Sequence, residues 1–321
     1  MENQDVIDRD DDNVVSEEMN ADESGKTVFY KYRGVGKCIS NGISFLTDHF
    51  FRFIRLTLPV SIPLAVLLAA YSYIACDMSM MQSASMRYVL YGLFLAALLV
   101  SSVQQGVIFR LLELYSDKAD MKSITYKSLY KTVWGCVGKV LGCNLVSVVI
   151  GNIVIGMGLL IWLIPMDGFE LNIVKMILLG IWLLAGAVMY IPYEISMPAL
   201  IFGKKKFFPA LWYGYVLGLK KIGKVMALFI VLLFLVVILL ALILSPAIVI
   251  AMMHHSASSS LLVGDAVSLP DNFAVYSILI LFLASFFSTL LIWVQCVPMS
   301  YLYASLEYDV EEQKKNELPV V

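Results

Sequence analysis

Charge is what this sequence has least of, and its absence decides the class. Charged residues make up 15% of the 321 positions against 60% apolar ones, with a mean hydropathy of +0.82. An ordinary soluble domain carries about 25% charge, so a soluble globular fold is excluded. Histidine is scarce, three in all, and no P-loop, H-E-x-x-H or Ser-His-Asp pattern is present, which argues against a hydrolase or nucleotide-dependent enzyme. The five cysteines (Cys38, Cys76, Cys136, Cys143, Cys296) form no C-x-x-C pair and read as small apolar packers rather than a redox or zinc motif. His254 and His255 stand together without a Cys or carboxylate cluster, so no metal or cofactor site and no catalytic group is expected.

What is present are six nearly uncharged runs, at 56–76, 88–109, 140–164, 176–197, 225–253 and 274–303. Crossing a bilayer core takes roughly 20 residues at about 1.5 Å each, and each run is long enough. The expected fold is an all-α integral membrane protein with six transmembrane helices. The first run starts well inside the chain, behind an acidic leader, so it is not read as a cleaved signal peptide. Residues 1–25 hold ten acidic side chains against the single Arg9. Such a segment buries too little apolar surface to order itself; residues 1–26 are expected as a disordered tail, 27–306 as the membrane domain and 307–321 as a short second tail.

The few positive charges are segregated. Of 23 Lys and Arg residues, 21 fall on one side of the six-run pattern, and just Arg87 and Lys175 border the other. By the positive-inside rule both termini and the two longer basic loops are cytosolic. The segments 27–55, 123–139 and 207–224 mix Phe, Tyr, Trp and Leu with Lys or Arg, the composition of helices lying in the headgroup plane. Each precedes a pair of runs, with Arg55, Lys139 or Lys224 at the mouth of the first. Three hairpins, each led by an amphipathic interfacial helix on the cytosolic side, are the expected architecture.

Each returning run carries a polar residue near its cytosolic end: Gln104 and Gln105, then Glu194, then Gln295. Pro192, Pro198 and Pro298 lie beside the last two, where they free backbone carbonyls. Polar groups at that depth turn toward the bundle or a wet cavity. Two readings stand: a polar pocket built from Glu194, Gln105 and Gln295 under a basic rim, or plain interhelical hydrogen bonding, with Glu194 reaching the headgroups or pairing with a lysine. Arg55, Lys139, Lys220, Lys221 and Lys224 are candidate contacts for anionic lipid, where positive charge contributes about 1 kcal/mol per residue. Gly138, Gly142, Ser147 and Gly151 form a small-residue stripe expected to pack inside the bundle; Gly214 and Gly218 form a less telling one. Asn144 and Asn152 read as interhelical hydrogen-bonders, or as water-facing groups.

The order Pro198-Ala-Leu-Ile201, basic turn, Pro209-Ala-Leu211, amphipathic stretch to Lys224 and long aliphatic run resembles a broad family of six-span bacterial membrane proteins. That family includes the membrane domain attached to some glycerophosphodiester phosphodiesterases. The resemblance implies a bacterial cytoplasmic (inner) membrane location and a role near lipids. It does not carry over hydrolase activity, because a short tail replaces the hydrolase domain, and the acidic leader departs from the family pattern. The expected function is therefore a non-enzymatic, lipid-associated binding, organising or accessory component, with membrane lipids and no nucleic acid as partners. The alternative is a small secondary transporter or channel using the Glu194 region as its substrate or proton site.

Overall fold

The computed structural model describes residues 29–77, 83–118, 121–163, 169–203, 205–263, 270 and 272–317; the acidic leader lies outside the described residues. Regular structure among them is entirely helical. The order is α1 (Val35–Asp48), α2 (Phe50–Cys76), α3 (Ala84–Lys118), a 3₁₀ turn (Met121–Ser123), α4 (Tyr126–Leu163), α5 (Phe169–Tyr190), a second 3₁₀ turn (Ile191–Ile195), α6 (Ser196–Phe202), α7 (Phe207–Lys220), α8 (Ile222–Val263) and α9 (Phe273–Glu317). Six segments are long and apolar enough to cross a membrane, namely Phe50–Cys76, Ala84–Ser116, Tyr126–Leu163, Ile173–Phe202, Ile222–Ala257 and Phe273–Lys314, consistent with a multi-pass membrane protein. In lipid a backbone has no water to bond, so an apolar run must satisfy its own N–H and C=O groups as a helix.

The helices overshoot the apolar runs, most of all at the end of the bundle that carries the basic residues. Residues 123–139 do not form a helix of their own: α4 runs unbroken from Tyr126 through the span. No proline interrupts it, and Leu129, Val133, Cys136, Val137 and Val140 make one buried stripe at helical spacing. That stripe seats on α3, where a Cβ at Gly106 would come within 2.8 Å of Val137. Residues 307–317 are likewise helix rather than tail. The Tyr213 hydroxyl donates to Glu307 at 2.8 Å, and Asp309 takes Lys224 at 3.2 Å and Lys221 at 3.7 Å, so α7 and α8 hold the last turns of α9 in place. At 45 residues, α9 is about 68 Å long, far more than a bilayer core of about 30 Å.

Of the segment 27–55, the described residues 29–55 divide in two. Residues 31–34 have no regular structure, and the Arg33 N–H donates to Ser305 Oγ at 2.8 Å while that hydroxyl donates to the Arg33 carbonyl at 3.0 Å. A separate α1 follows, ending at Asp48, and after the single cap residue His49 α2 starts with Phe50. Gly42 of α1 lies against Pro298 of α9, so closely that a Cβ there would come within 2.8 Å of the proline ring.

Packing density is uneven along the bundle. The main core, including Phe53, Phe109, Leu129, Ile195, Leu228 and Tyr303, lies at the basic end; the opposite end has a small cluster of Ala69, Ala247, Leu281 and Ala284. α5 is the extreme case. It touches α4 along Leu179, Trp182, Gly186 and Tyr190, with the Trp182 indole donating to the Val154 carbonyl at 2.8 Å and Gly186 pressed on Val154. None of its apolar stretch is buried, against 44% of that of α2. Beyond its basic-end half, the α4–α5 pair therefore packs mainly within itself.

Candidate functional site

The site begins with a break in a helix. α5 ends at Tyr190, the chain tightens into the 3₁₀ turn 191–195, and α6 resumes for two turns. Pro192 and Pro198 have no N–H to give, so each removes one bond from the ladder at the break. Side chains of the broken segment tie it to the neighbouring helices. The Tyr193 hydroxyl donates to the Cys143 carbonyl of α4 at 2.8 Å, and Ser196 Oγ donates to the Leu211 carbonyl of α7 at 3.0 Å. Lys139 Nζ donates to the Leu200 carbonyl at 3.1 Å, where the end of a short helix leaves carbonyls unpaired and a cation is favoured.

α7 clamps the break from the other side through two glycines. A Cβ at Gly214 would stand 2.5 Å from the Ser196 Cα, and one at Gly218 would stand 2.6 Å from the Pro192 carbonyl oxygen. This is the small-residue stripe that matters most. The 138–151 stripe is not a helix-packing seam: Gly138 and Gly151 face open space, and Gly142 receives the Phe207 ring.

Held in this way, Glu194 borders a cavity of about 250 Å³ enclosed by α3, α4, the broken helix and α9. Gln105 and Gln295 line the same cavity, so the structure brings together the three residues of the sequence-level pocket. Gln295 Nε2 donates to Glu194 Oε2 at 3.4 Å, and the Tyr190 hydroxyl is a second hydrogen-bond partner of that carboxylate. Ser147 Oγ and the Tyr190 hydroxyl are 2.6 Å apart. Asn144 Nδ2 donates to Gln105 Oε1 at 3.3 Å and to Ser102 Oγ at 2.9 Å, which ties α4 to α3 at the cavity wall. Asn152, by contrast, bonds back to the Val148 carbonyl of its own helix. A water occupies about 30 Å³, so the space suits a small polar group rather than one solvent molecule.

The basic residues are placed differently. None of Arg55, Lys139, Lys220, Lys221 and Lys224 lines the cavity. Lys139 is spent on Leu200, and Lys221 and Lys224 on Asp309, with Lys224 also 4.6 Å from the Tyr32 ring. Arg55 and Lys220 are exposed. The basic rim over the pocket therefore does not form, because the cations at the mouths of the spans satisfy helix ends and a carboxylate nearer to them.

Gln104, beside Gln105 in sequence, points elsewhere. It is fully buried and donates to Ser61 Oγ at 3.2 Å and to the Thr289 carbonyl at 3.0 Å, joining α2, α3 and α9. Tyr190 and Ser147 are the cavity residues the sequence reading missed. Tyr190 lies four residues before Glu194, one helical turn away, and that spacing was the available signal. Among the described residues no group of three or more His, Cys, Asp or Glu is placed to hold a metal. Comparison with protein-family models, with curated proteins and with solved structures gives no match for this chain, so the family resemblance rests on the sequence pattern alone.

Proposed function

We propose that this chain is a non-enzymatic protein of a cytoplasmic membrane that takes the polar head of a membrane lipid into the Glu194 cavity. The basic end and both termini face the cytosol, as the distribution of Lys and Arg requires. The six spans work as three hairpins, and α1 and α7 lie along the membrane surface. For α7 the support is its exposed face of Phe208, Trp212 and Leu219, an apolar stripe suited to the headgroup boundary.

The observation that carries the reading is a polar cavity at membrane depth whose wall is not sealed by helix packing. α5 packs on α4 and on its own 3₁₀ continuation, without extensive packing on α3, α8 or α9. The side between α5 and the main bundle is thus left to lipid, while hydrogen-bonding groups wait at the basic end of the gap. An amphiphile fits such a site, with its head on Glu194, Gln105 and Gln295 and its chain in the hydrocarbon. Among the described residues a single carboxylate lines the cavity, and the tyrosine hydroxyls beside it are held in hydrogen bonds to Glu194 and to the Cys143 carbonyl, an arrangement that supports binding.

Native mass spectrometry of the protein extracted from its own membrane tests this. The wild type should retain a lipid at fixed stoichiometry, and Ser147→Phe, which fills the cavity beside Tyr190, should lose it. Equal retention by both, or none by either, overturns the proposal. The helix broken at Glu194 favours a second reading, since discontinuous spans build transporter sites. Under that reading Glu194→Gln abolishes substrate flux in vesicles.

A further inference from the structure

The lining of the cavity is one-sided in charge and in hydrogen-bonding sense. Among the described residues that line it, Glu194 is the one carboxylate and none is Lys, Arg or His. The nearest candidate cation in sequence reasoning, Lys139, is turned to the Leu200 carbonyl. A carboxylic acid at membrane depth is costly to ionise without a cation, and the described lining supplies none, so a ligand that brings positive charge is the one that would pair it.

Most of the donors that line the cavity already have an acceptor, the Gln105 Nε2 being the exception. Gln295 Nε2 is on Glu194, Asn144 Nδ2 on Gln105 and Ser102, the Tyr193 hydroxyl on the Cys143 carbonyl, the Tyr190 hydroxyl on Glu194, and the Ser147 hydroxyl on the Tyr190 oxygen. Acceptors remain in excess. A carboxylate offers about four lone-pair sites, of which Gln295 and Tyr190 use two, and an amide oxygen such as that of Gln105 accepts a second bond. A ligand that donates hydrogen bonds and carries a positive charge complements this lining.

We infer that the Glu194 cavity binds a protonated primary amine, with its ammonium on the Glu194 carboxylate and on the amide oxygens of the cavity. This rests on the headgroup site proposed above and names the class of head. The amine is either the head of an aminolipid or a free small amine, and the two are told apart by whether the chain is needed. An anionic head without an amine is excluded from the cavity by Glu194.

The test is a titration of the purified full-length chain, read by native mass spectrometry, with phosphatidylethanolamine and phosphatidylcholine of identical chains. Phosphatidylcholine keeps the charge but has no N–H to donate. Wild type should prefer phosphatidylethanolamine at least tenfold; Glu194→Gln should reduce the preference to less than twofold, and Glu194→Asp, which keeps the charge, should retain most of it. Ethanolamine that binds alone at the same affinity assigns the site to a free amine, and ethanolamine that binds at least tenfold more weakly assigns it to the lipid. Equal binding of both lipids by wild type, or an unchanged preference in Glu194→Gln, overturns the inference. If both lipids bind alike and both are lost in Ser147→Phe, the headgroup site stands and the amine assignment alone fails. If neither lipid nor amine binds, both fail.

Discussion

Replacing Gly218 with alanine puts a methyl group where α7 meets the broken helix. The new carbon would stand 2.6 Å from the Pro192 carbonyl oxygen, 2.9 Å from its Cα and 3.1 Å from its carbonyl carbon. These are backbone atoms, so no side chain can swing away. α7 would have to lift by several tenths of an ångström, and overpacking of this kind costs about 1–3 kcal/mol. Alanine also gains about 1 kcal/mol over glycine in helix propensity, so the net loss should be up to about 2 kcal/mol. For a chain of this length that is a fall in melting temperature of up to about 3 °C. Gly138→Ala is the control: Gly138 is also helical, but a Cβ there meets nothing within 4 Å, so it should melt at or above wild type. Unfolding can be followed with a thiol-reactive dye, because Cys38, Cys136, Cys143 and Cys296 are buried. A Gly218→Ala protein as stable as Gly138→Ala would refute the close-approach argument for the clamp on Glu194.

Two further outcomes follow from groups outside the cavity. Asp309→Asn removes the shared partner of Lys221 and Lys224; the pairs are partly exposed, so stability should fall by less than about 1 kcal/mol. The released lysines should raise the number of anionic lipids retained in native mass spectrometry, and an unchanged number would show that Asp309 does not occupy them. Cys38 has no exposed surface, and burial pushes its thiol up to about 11, partly opposed by Arg33 and Lys224. A raised pKa means less thiolate at a given pH, about a hundredfold less at pH 8 than for an ordinary cysteine. Iodoacetamide at pH 8 should therefore label the partly exposed Cys76 and leave Cys38 intact; equal rates would contradict this.

Much of the fold was legible because hydrocarbon imposes one rule, that apolar runs become helices, and charge distribution adds a direction. The three returning polar residues were found by the same reasoning, since Gln105, Glu194 and Gln295 stand at similar distances from the ends of their runs. Their convergence on one cavity is a matter of helix rotation, which sequence periodicity leaves open: Gln104 and Gln105 are neighbours, yet one joins three helices and the other lines the cavity. The basic rim failed for a different reason. Lys139 and Lys224 were counted as charges facing the membrane, but the carbonyl of Leu200 and the carboxylate of Asp309 compete for them locally. The role of Gly214 and Gly218 was hidden because what they approach, the turn at Pro192, lies about twenty residues earlier in the chain. The extension of α9 past its apolar run depends on Tyr213, Lys221 and Lys224, partners that its own composition does not reveal.

Whether a lipid head enters the Glu194 cavity is settled most directly by photo-crosslinking. A lipid carrying a diazirine at its head would be incorporated with the full-length chain in nanodiscs, irradiated, and the adducts mapped by peptide mass spectrometry. The headgroup site predicts adducts on Tyr190, Glu194 and Gln295 that disappear in Ser147→Phe. Adducts confined to exposed Arg55 and Lys220, unaffected by Ser147→Phe, would contradict it and place lipid contact on the basic surface.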